Sequence, residues 1–352
     1  MFHNVAELEK IEELPGLRLQ RFPKDLVNRL GGNGHDNGRL VAQASTGCEI
    51  RFVTDSNKVR ITLSATDNDG DIIVYCGDFF HSVHRLPQGV VKTIRLDRPE
   101  RFTGVEQEAL KKRRFSNEVW RIMISRGYNA TGIMNVAFHH IDSFGYDIKP
   151  PSKDQLPKLK WLAYGSSITH GSGAVLHHNS YIQHAARRLG VDVLNKGIGG
   201  SCLCEPEMAD YLAQEEWDFA TLELGVNMRT LFTDAEFEQR ARYMISEMVN
   251  KNPDKPIVLI TIYPNFADFS LDKNSRSSQA NSSFREIIKK IWLEFGNKNL
   301  YLIDGRDILN DFSGLTCDLI HPSDYGHICM GENLAVKLQK ILAEVFYKFE
   351  RN

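Results

Sequence analysis

The sequence is short of the features that would put it in several large classes. Cysteine is scarce: Cys48, Cys76, Cys202, Cys204, Cys317 and Cys329 are the whole supply in 352 residues. That is too few for a disulfide scaffold in a chain this long and fits reduced thiols in a cytoplasmic protein. Cys202-x-Cys204 is the one close pair, and no further ligands stand near it at zinc-site spacing, so no metal is expected. A basic excess is missing too. The 43 Lys and Arg are offset by 45 Asp and Glu, a net charge of -2, which leaves no global field to hold a nucleic-acid backbone. No apolar run approaches the roughly 18 residues of a spanning helix. The opening MFHNVAELEKIEEL puts acids where a signal peptide carries its apolar stretch, so neither secretion nor membrane contact is expected. Internal repeats and low-complexity tracts are lacking as well.

What is present is an ordinary globular composition, 42% hydrophobic and 25% charged, on a chain long enough for two domains. The first part reads as mostly β. Apolar or alternating runs recur at 49–53, 59–63, 72–76, 90–96, 119–124 and 136–141, with turn-rich stretches such as Asp67-Asn68-Asp69-Gly70 between them. Strands of that length and spacing predict a sandwich or jelly roll. A short helix is expected before them over 4–14, with Asn4 as N-cap and Glu7 at the third helical position. Three prolines among polar residues mark 147–157 as a linker.

Beyond the linker the pattern changes. Strand candidates at 159–164, 191–194, 219–224, 257–262 and 300–303 alternate with helical patterns at 180–189, 235–250, 283–295 and 324–346. This rhythm predicts right-handed crossovers and a parallel sheet covered on both faces, with ligands beyond the carboxyl ends of its strands. The expected division is therefore 1–148 for a β-sandwich, 149–157 for the linker and 158–352 for an α/β domain.

The loops at those strand ends carry the chemistry. After the first strand comes Gly165-Ser166-Ser167-Ile168-Thr169-His170-Gly171, which puts a serine hydroxyl and its backbone N–H at the positive end of a helix. After the second comes Asn195-Lys196-Gly197-Ile198-Gly199-Gly200-Ser201, whose glycines either present bare N–H groups to an oxyanion or simply make a turn. The third strand ends in Glu223-Leu224-Gly225-Val226-Asn227-Met228-Arg229, with an asparagine amide as a third donor. Near the C-terminus, Asp318-Leu319-Ile320-His321-Pro322 spaces a carboxylate three residues from an imidazole. That spacing lets Asp318 take the Nδ1–H and leaves Nε2 to remove a hydroxyl proton.

Serine, glycine, asparagine and then aspartate-histidine, in that order and at different strand ends, resemble the SGNH (GDSL-like) hydrolase superfamily over about residues 158–350. Its four named residues fall on Ser167, Gly200, Asn227 and His321. Two blocks depart from the usual pattern: Gly165-Ser166-Ser167 stands where Gly-Asp-Ser is usual, and Met228 replaces an aspartate after Asn227. The resemblance implies a flavodoxin-like parallel-sheet domain and a serine esterase that uses no cofactor. Ser167 would be the nucleophile, His321 the base and Asp318 its orienting acid, with Ser167, Gly200 and Asn227 forming the oxyanion hole. Some members of the superfamily use a backbone carbonyl in place of the acid, and that alternative stays open here. A β-sandwich ahead of such a domain is similar to family-two carbohydrate esterases, which remove acetyl groups from sugars; some jelly-roll-bearing relatives are acyltransferases.

The expected substrate is thus an O-acyl ester, acetyl above all, of a carbohydrate or small metabolite. Acyl transfer to another alcohol is the alternative. A binding-only protein is disfavoured by the joint presence of Ser167, Asn227, Asp318 and His321. Glu223, an acid in an apolar strand, is expected to hydrogen-bond within the fold near His170. Glu223, Arg229 and Tyr263 are also weaker candidates for contact with substrate. His139-His140 and His177-His178 are not read as metal ligands, since neighbours along a strand point to opposite faces. The glycine-rich loop 31–38 lacks a preceding strand and is not read as a phosphate cradle. The sequence fixes no oligomeric state.

Overall fold

The computed structural model describes residues 1–11, 16–31, 35–111, 114–128 and 132–349. Ten strands occupy the first part: β1 (Phe2–His3), β2 (Glu7–Lys10), β3 (Leu17–Gln20), β4 (Glu49–Phe52), β5 (Lys58–Ala65), β6 (Gly70–Cys76), β7 (Phe79–Leu86), β8 (Val91–Asp97), β9 (Trp120–Gly127) and β10 (Val136–Asp142). They form two five-stranded sheets, β1-β4-β9-β6-β7 and β2-β3-β10-β5-β8, with antiparallel pairing throughout. Alternation explains the sandwich. Val59, Ile61 and Leu63 of β5 and Ile94 and Leu96 of β8 point inward from one sheet to meet Ile50, Phe52, Ile72, Val74 and Ile122 from the other.

The first correction concerns 4–14, where the expected helix is replaced by strand β2, paired antiparallel to β3. Its acids find partners on other segments: Glu9 accepts from Gln20 Nε2 at 2.6 Å and pairs with Lys24 at 2.8 Å. Asn4, instead of capping, takes a left-handed φ of 54° and donates to the carbonyls of Gly47 and Asn195. Tertiary pairing overrides local propensity here. Residues 12–14 of that stretch, and 32–34 of the glycine-rich loop, lie outside the described residues.

Five strands, β11 (Lys160–Gly165), β12 (Asp192–Gly197), β13 (Phe219–Glu223), β14 (Ile257–Ile260) and β15 (Leu300–Ile303), form a parallel sheet in the order β12-β11-β13-β14-β15. The helices are α1 (Lys24–Arg29), α2 (Asn37–Ala42), α3 (Gln107–Lys111), α4 (Ser167–His170), α5 (Tyr181–Leu189), α6 (Pro206–Gln214), α7 (Asp234–Lys251), α8 (Phe266–Phe269), α9 (Arg276–Phe295) and α10 (Asp324–Phe349). On β11, Leu162 and Tyr164 face a core shared with α6, α7 and α9, while Trp161 and Ala163 face one shared with α5 and α10. Period two along the strand thus fills both layers.

Two features tie the halves together. Phe22, Leu26, Val27, Leu30, Val41 and Ala42, from the segment holding α1 and α2, belong to the α6–α7–α9 core rather than to the sandwich. Along the seam runs a buried ionic network. Arg51 reaches Asp192 with both terminal nitrogens, at 2.5 and 2.9 Å, and Glu49 receives Arg51 and Arg121. The Phe115 ring packs against the guanidinium groups of Arg51, Arg114 and Arg121. The proline-rich stretch is itself held, with Lys149 bridged to Val53 and Gln155 O accepting from Ser116 N.

Candidate active site

The strand order reverses at β11, and the functional loops gather at the carboxyl ends of the strands around it. Gly165 ends β11, and a Cβ there would lie on top of Thr169 Oγ1 and 2.6 Å from Glu223 Oε2, so only glycine fits the turn. Ser166 caps the one-turn helix α4, its side chain accepting from Ile168 N, and Gly171 ends that helix with φ 101°. Ser167 is thereby left as the first helical residue, partly exposed.

The C-terminal block closes on it. Ser167 Oγ lies 2.8 Å from His321 Nε2, and His321 Nδ1 lies 2.6 Å from Asp318 Oδ2. Leu319 takes a left-handed φ of 55°, which folds the Asp-x-x-His loop back so that acid and imidazole meet. The other Asp318 oxygen accepts from Thr316 Oγ1, Ile320 N and His321 N at 2.8, 2.8 and 2.9 Å. Partial burial would raise this carboxyl, but the hydrogen bonds from His321 and its neighbours outweigh it and bring it down to about 2. Asp318 is therefore ionised at neutral pH.

Three candidate donors are unclaimed. Among the described residues nothing accepts from the backbone N–H of Ser167 or of Gly200. Gly200 holds φ at 70°, a left-handed geometry that sets its peptide at an angle to the loop. Its neighbour Gly199 runs so close that a Cβ there would be 3.5 Å from Ser167 Cβ. Asn227 Oδ1 accepts from Cys202 N at 3.1 Å, which fixes the amide and leaves Nδ2 without an acceptor. The arrangement offers a hydroxyl, a base and an acid that holds the base, the components of acyl transfer through a serine.

The remaining candidates sit deeper. Glu223 and Tyr263 are buried. Glu223 Oε2 accepts from Ser166 N and Thr169 Oγ1, rather than pairing with His170, whose two ring nitrogens lack partners among the described residues. Arg229 is 7% exposed; it donates to Val226 O, Asn265 Oδ1 and Asn281 Oδ1, tying the loops after β13 and β14. Clefts of about 760 and 1040 Å³ follow the seam between the halves, and neither is lined by Ser167 or His321.

Sequence reasoning missed Asn37. From α2 its Nδ2 donates to Gly199 O at 3.0 Å and Ser201 Oγ at 2.9 Å, bracing the glycine loop from the N-terminal segment. Its glycine-rich surroundings gave no hint of a contact 162 residues away.

The profile of one family, described as GDSL-like lipase/acylhydrolase, matches residues 160–342, just over half of the chain. The chain belongs to the GDSL-like lipase/acylhydrolase family. Solved structures extend the likeness of fold across both halves. A salicylyl-acyltransferase, SsfX3, from a tetracycline biosynthetic pathway superposes with a TM-score of 0.78 at 15% identity, covering 97% of this chain and 94% of that one. A family two carbohydrate esterase from Clostridium thermocellum, in complex with cellohexaose, gives 0.59 at 15% identity, over 85% and 93%. An acetyl xylan esterase from the rumen bacterium Butyrivibrio proteoclasticus gives 0.55 at 15% identity, over 86% and 92%. No curated protein sequence matches the chain. Among the described residues no helix is long and apolar enough to cross a membrane.

Proposed function

We propose that this member of the family is a serine esterase that hydrolyses O-acyl esters, acetyl esters of a carbohydrate or small metabolite first among them. The observation that carries the reading is the hydrogen-bonded line Ser167–His321–Asp318. His321 Nε2 takes the proton as Ser167 Oγ attacks the ester carbonyl, and Asp318 holds Nδ1–H and stabilises the imidazolium. The oxyanion is bound by the N–H groups of Ser167 and Gly200 and by Asn227 Nδ2. Collapse expels the alcohol, which leaves with the proton from His321. Water, deprotonated by His321, then releases the acid from the acyl-serine. The same reading keeps the division at 1–148, 149–157 and 158–352, with residues 22–31 and 35–44 as parts of the first half laid on the second. Six free cysteines fit a reducing, cytoplasmic setting.

Two observations bear on hydrolysis against transfer to another alcohol. The acyltransferase has the higher TM-score of the relatives named. Against transfer, the Asp318 side chain is 49% exposed and that of His321 27%, which admits water to the acyl-serine. Hydrolysis is the reading preferred. Its test is the initial rate on aryl acetate, butyrate and octanoate, with Ser167→Ala alongside wild type. Activity that falls with chain length and disappears in Ser167→Ala is expected. Activity retained by Ser167→Ala would overturn the serine mechanism.

A further inference from the structure

Beneath the turn that carries Ser167 lies a carboxylate that this reaction does not use. Glu223 closes β13 and is 1% exposed. Its Oε2 accepts from the Ser166 backbone N–H at 2.7 Å and from Thr169 Oγ1 at 3.3 Å, so one oxygen touches both ends of the α4 turn. Its Oε1 has no partner among the described residues. A buried acid left half-satisfied costs a fold stability, and such positions are kept where they serve the site. Gly165 leaves the carboxylate its space, as the overlap of any Cβ there shows. Position 166, where a Gly-Asp-Ser block would carry its acid, is a serine here. The acid reaches the same turn from the neighbouring strand.

We propose that Glu223 is a positioning residue for Ser167: by accepting the Ser166 N–H and the Thr169 hydroxyl it pins the turn and so fixes the direction in which Ser167 Oγ faces His321. This rests on the reading of Ser167 as nucleophile. The surroundings make the charge of Glu223 matter. From α5 and the loop after β14 it faces the phenols of Tyr181 and Tyr263, and from the loop after β12 the thiols of Cys202 and Cys204. Burial pushes all four up, so they stay neutral. The His170 imidazole on α4 is pushed well down by burial and is also neutral. Arg229, in the loop after β13, is the cation that acts on Glu223, and its donors are held by Asn265 and Asn281. Burial raises Glu223 itself to about 7, with the Ser166 and Thr169 contacts pulling the other way. Near neutrality Glu223 is thus the group of this layer that changes charge, and once protonated it holds the Ser166 N–H less firmly.

The test compares kcat and KM of wild type and Glu223→Gln on an aryl acetate from roughly pH 5 to 9, where the acidic limb reports essential ionisations. A fluorophosphonate probe for the serine is applied in parallel, with Ser167→Ala as its control. Glu223→Gln is expected to lower kcat roughly 10- to 100-fold with KM changed by less than about twofold. The acidic limb of kcat is expected to fall with two ionisations in wild type and one in the variant. A kcat within about twofold, or a limb unchanged while kcat falls, overturns the proposal. Thr169→Val, which keeps the carboxylate and removes one contact, is expected to lose less activity and keep both ionisations; loss of one would also count against it. Absence of labelling in wild type would overturn the serine reading and the proposal with it. Labelled wild type with unchanged Glu223→Gln kinetics overturns the proposal alone.

Discussion

Arg51 and Asp192 form a two-pronged ion pair, at 2.5 and 2.9 Å, with the Arg51 side chain fully buried and that of Asp192 9% exposed. Arg51 belongs to the sandwich, and Asp192 opens β12, the edge strand whose far end runs into the glycine loop beside Ser167. Burial would raise the Asp192 carboxyl, but Arg51 outweighs it and holds it well below the usual range. The pair joins the sandwich to the start of β12 across the seam.

Asp192→Asn takes the two-pronged carboxylate from a buried guanidinium and leaves it the single contact with Glu49. It is expected to cost about 3–5 kcal/mol of stability, read as a lower urea midpoint. Arg51→Met combined with Asp192→Leu is expected to recover part of that loss, because the under-neutralised guanidinium is gone while Glu49 keeps Arg121.

Asn227→Ala removes a donor already aimed by Cys202 N. A fall in kcat of roughly 10²–10³ with little change in KM is expected. A kcat within a few-fold of wild type would take Asn227 out of the oxyanion hole.

Asp318→Asn is expected to lower kcat by roughly 10²–10⁴, since an amide cannot hold the imidazole in the tautomer that frees Nε2. Retained activity would hand the orienting role to a backbone carbonyl. With its folded value depressed to about 2, the stability that Asp318 contributes is present above the ordinary carboxylate range and lost as pH falls toward 2.

Asn37→Ala cuts two hydrogen bonds to the glycine loop from an exposed residue. A loss of about 1 kcal/mol in transition-state stabilisation, roughly fivefold in kcat, is expected with Tm unchanged.

Glu223→Gln should act oppositely on stability and on rate. Because burial raises Glu223 to about 7 in the folded protein, the stability tied to its proton is full below the unfolded value near 4.5 and is lost as pH rises through 7. The cost of carrying the charge is on the order of 3 kcal/mol at alkaline pH. The Tm advantage of Glu223→Gln over wild type is expected to grow between pH 5 and pH 9, measured by scanning calorimetry, roughly in step with that cost.

Much of the α/β half was legible because its signals are local. Each parallel strand is an apolar run, and each loop at a strand's end carries its own chemistry. Helix α9 was read short because the serines at 277, 278, 282 and 283 weaken the helical pattern, while the actual start is set by the Ser275 cap. Strand β7 escaped because Phe79–Leu86 mixes histidine and serine into a half-exposed edge. Of the site, Ser167 and the Asp318–His321 pairing were written in spacing. The parts that depend on long-range contact were not: nothing in the sequence ties Asn37 to Gly199 or aims Glu223 at Ser166 instead of His170.

The residues of α1 and α2 that complete the α6–α7–α9 core are made before any strand of the parallel sheet exists. At a synthesis rate of about 5–20 residues per second, Leu26 and Val41 wait roughly six to forty seconds on the ribosome for Leu162 and Leu222 to be made. The sandwich can close during that interval, but it closes with an apolar arm left outside it. Nascent chains halted between the sandwich and β13 therefore carry that apolar arm without the core that covers it.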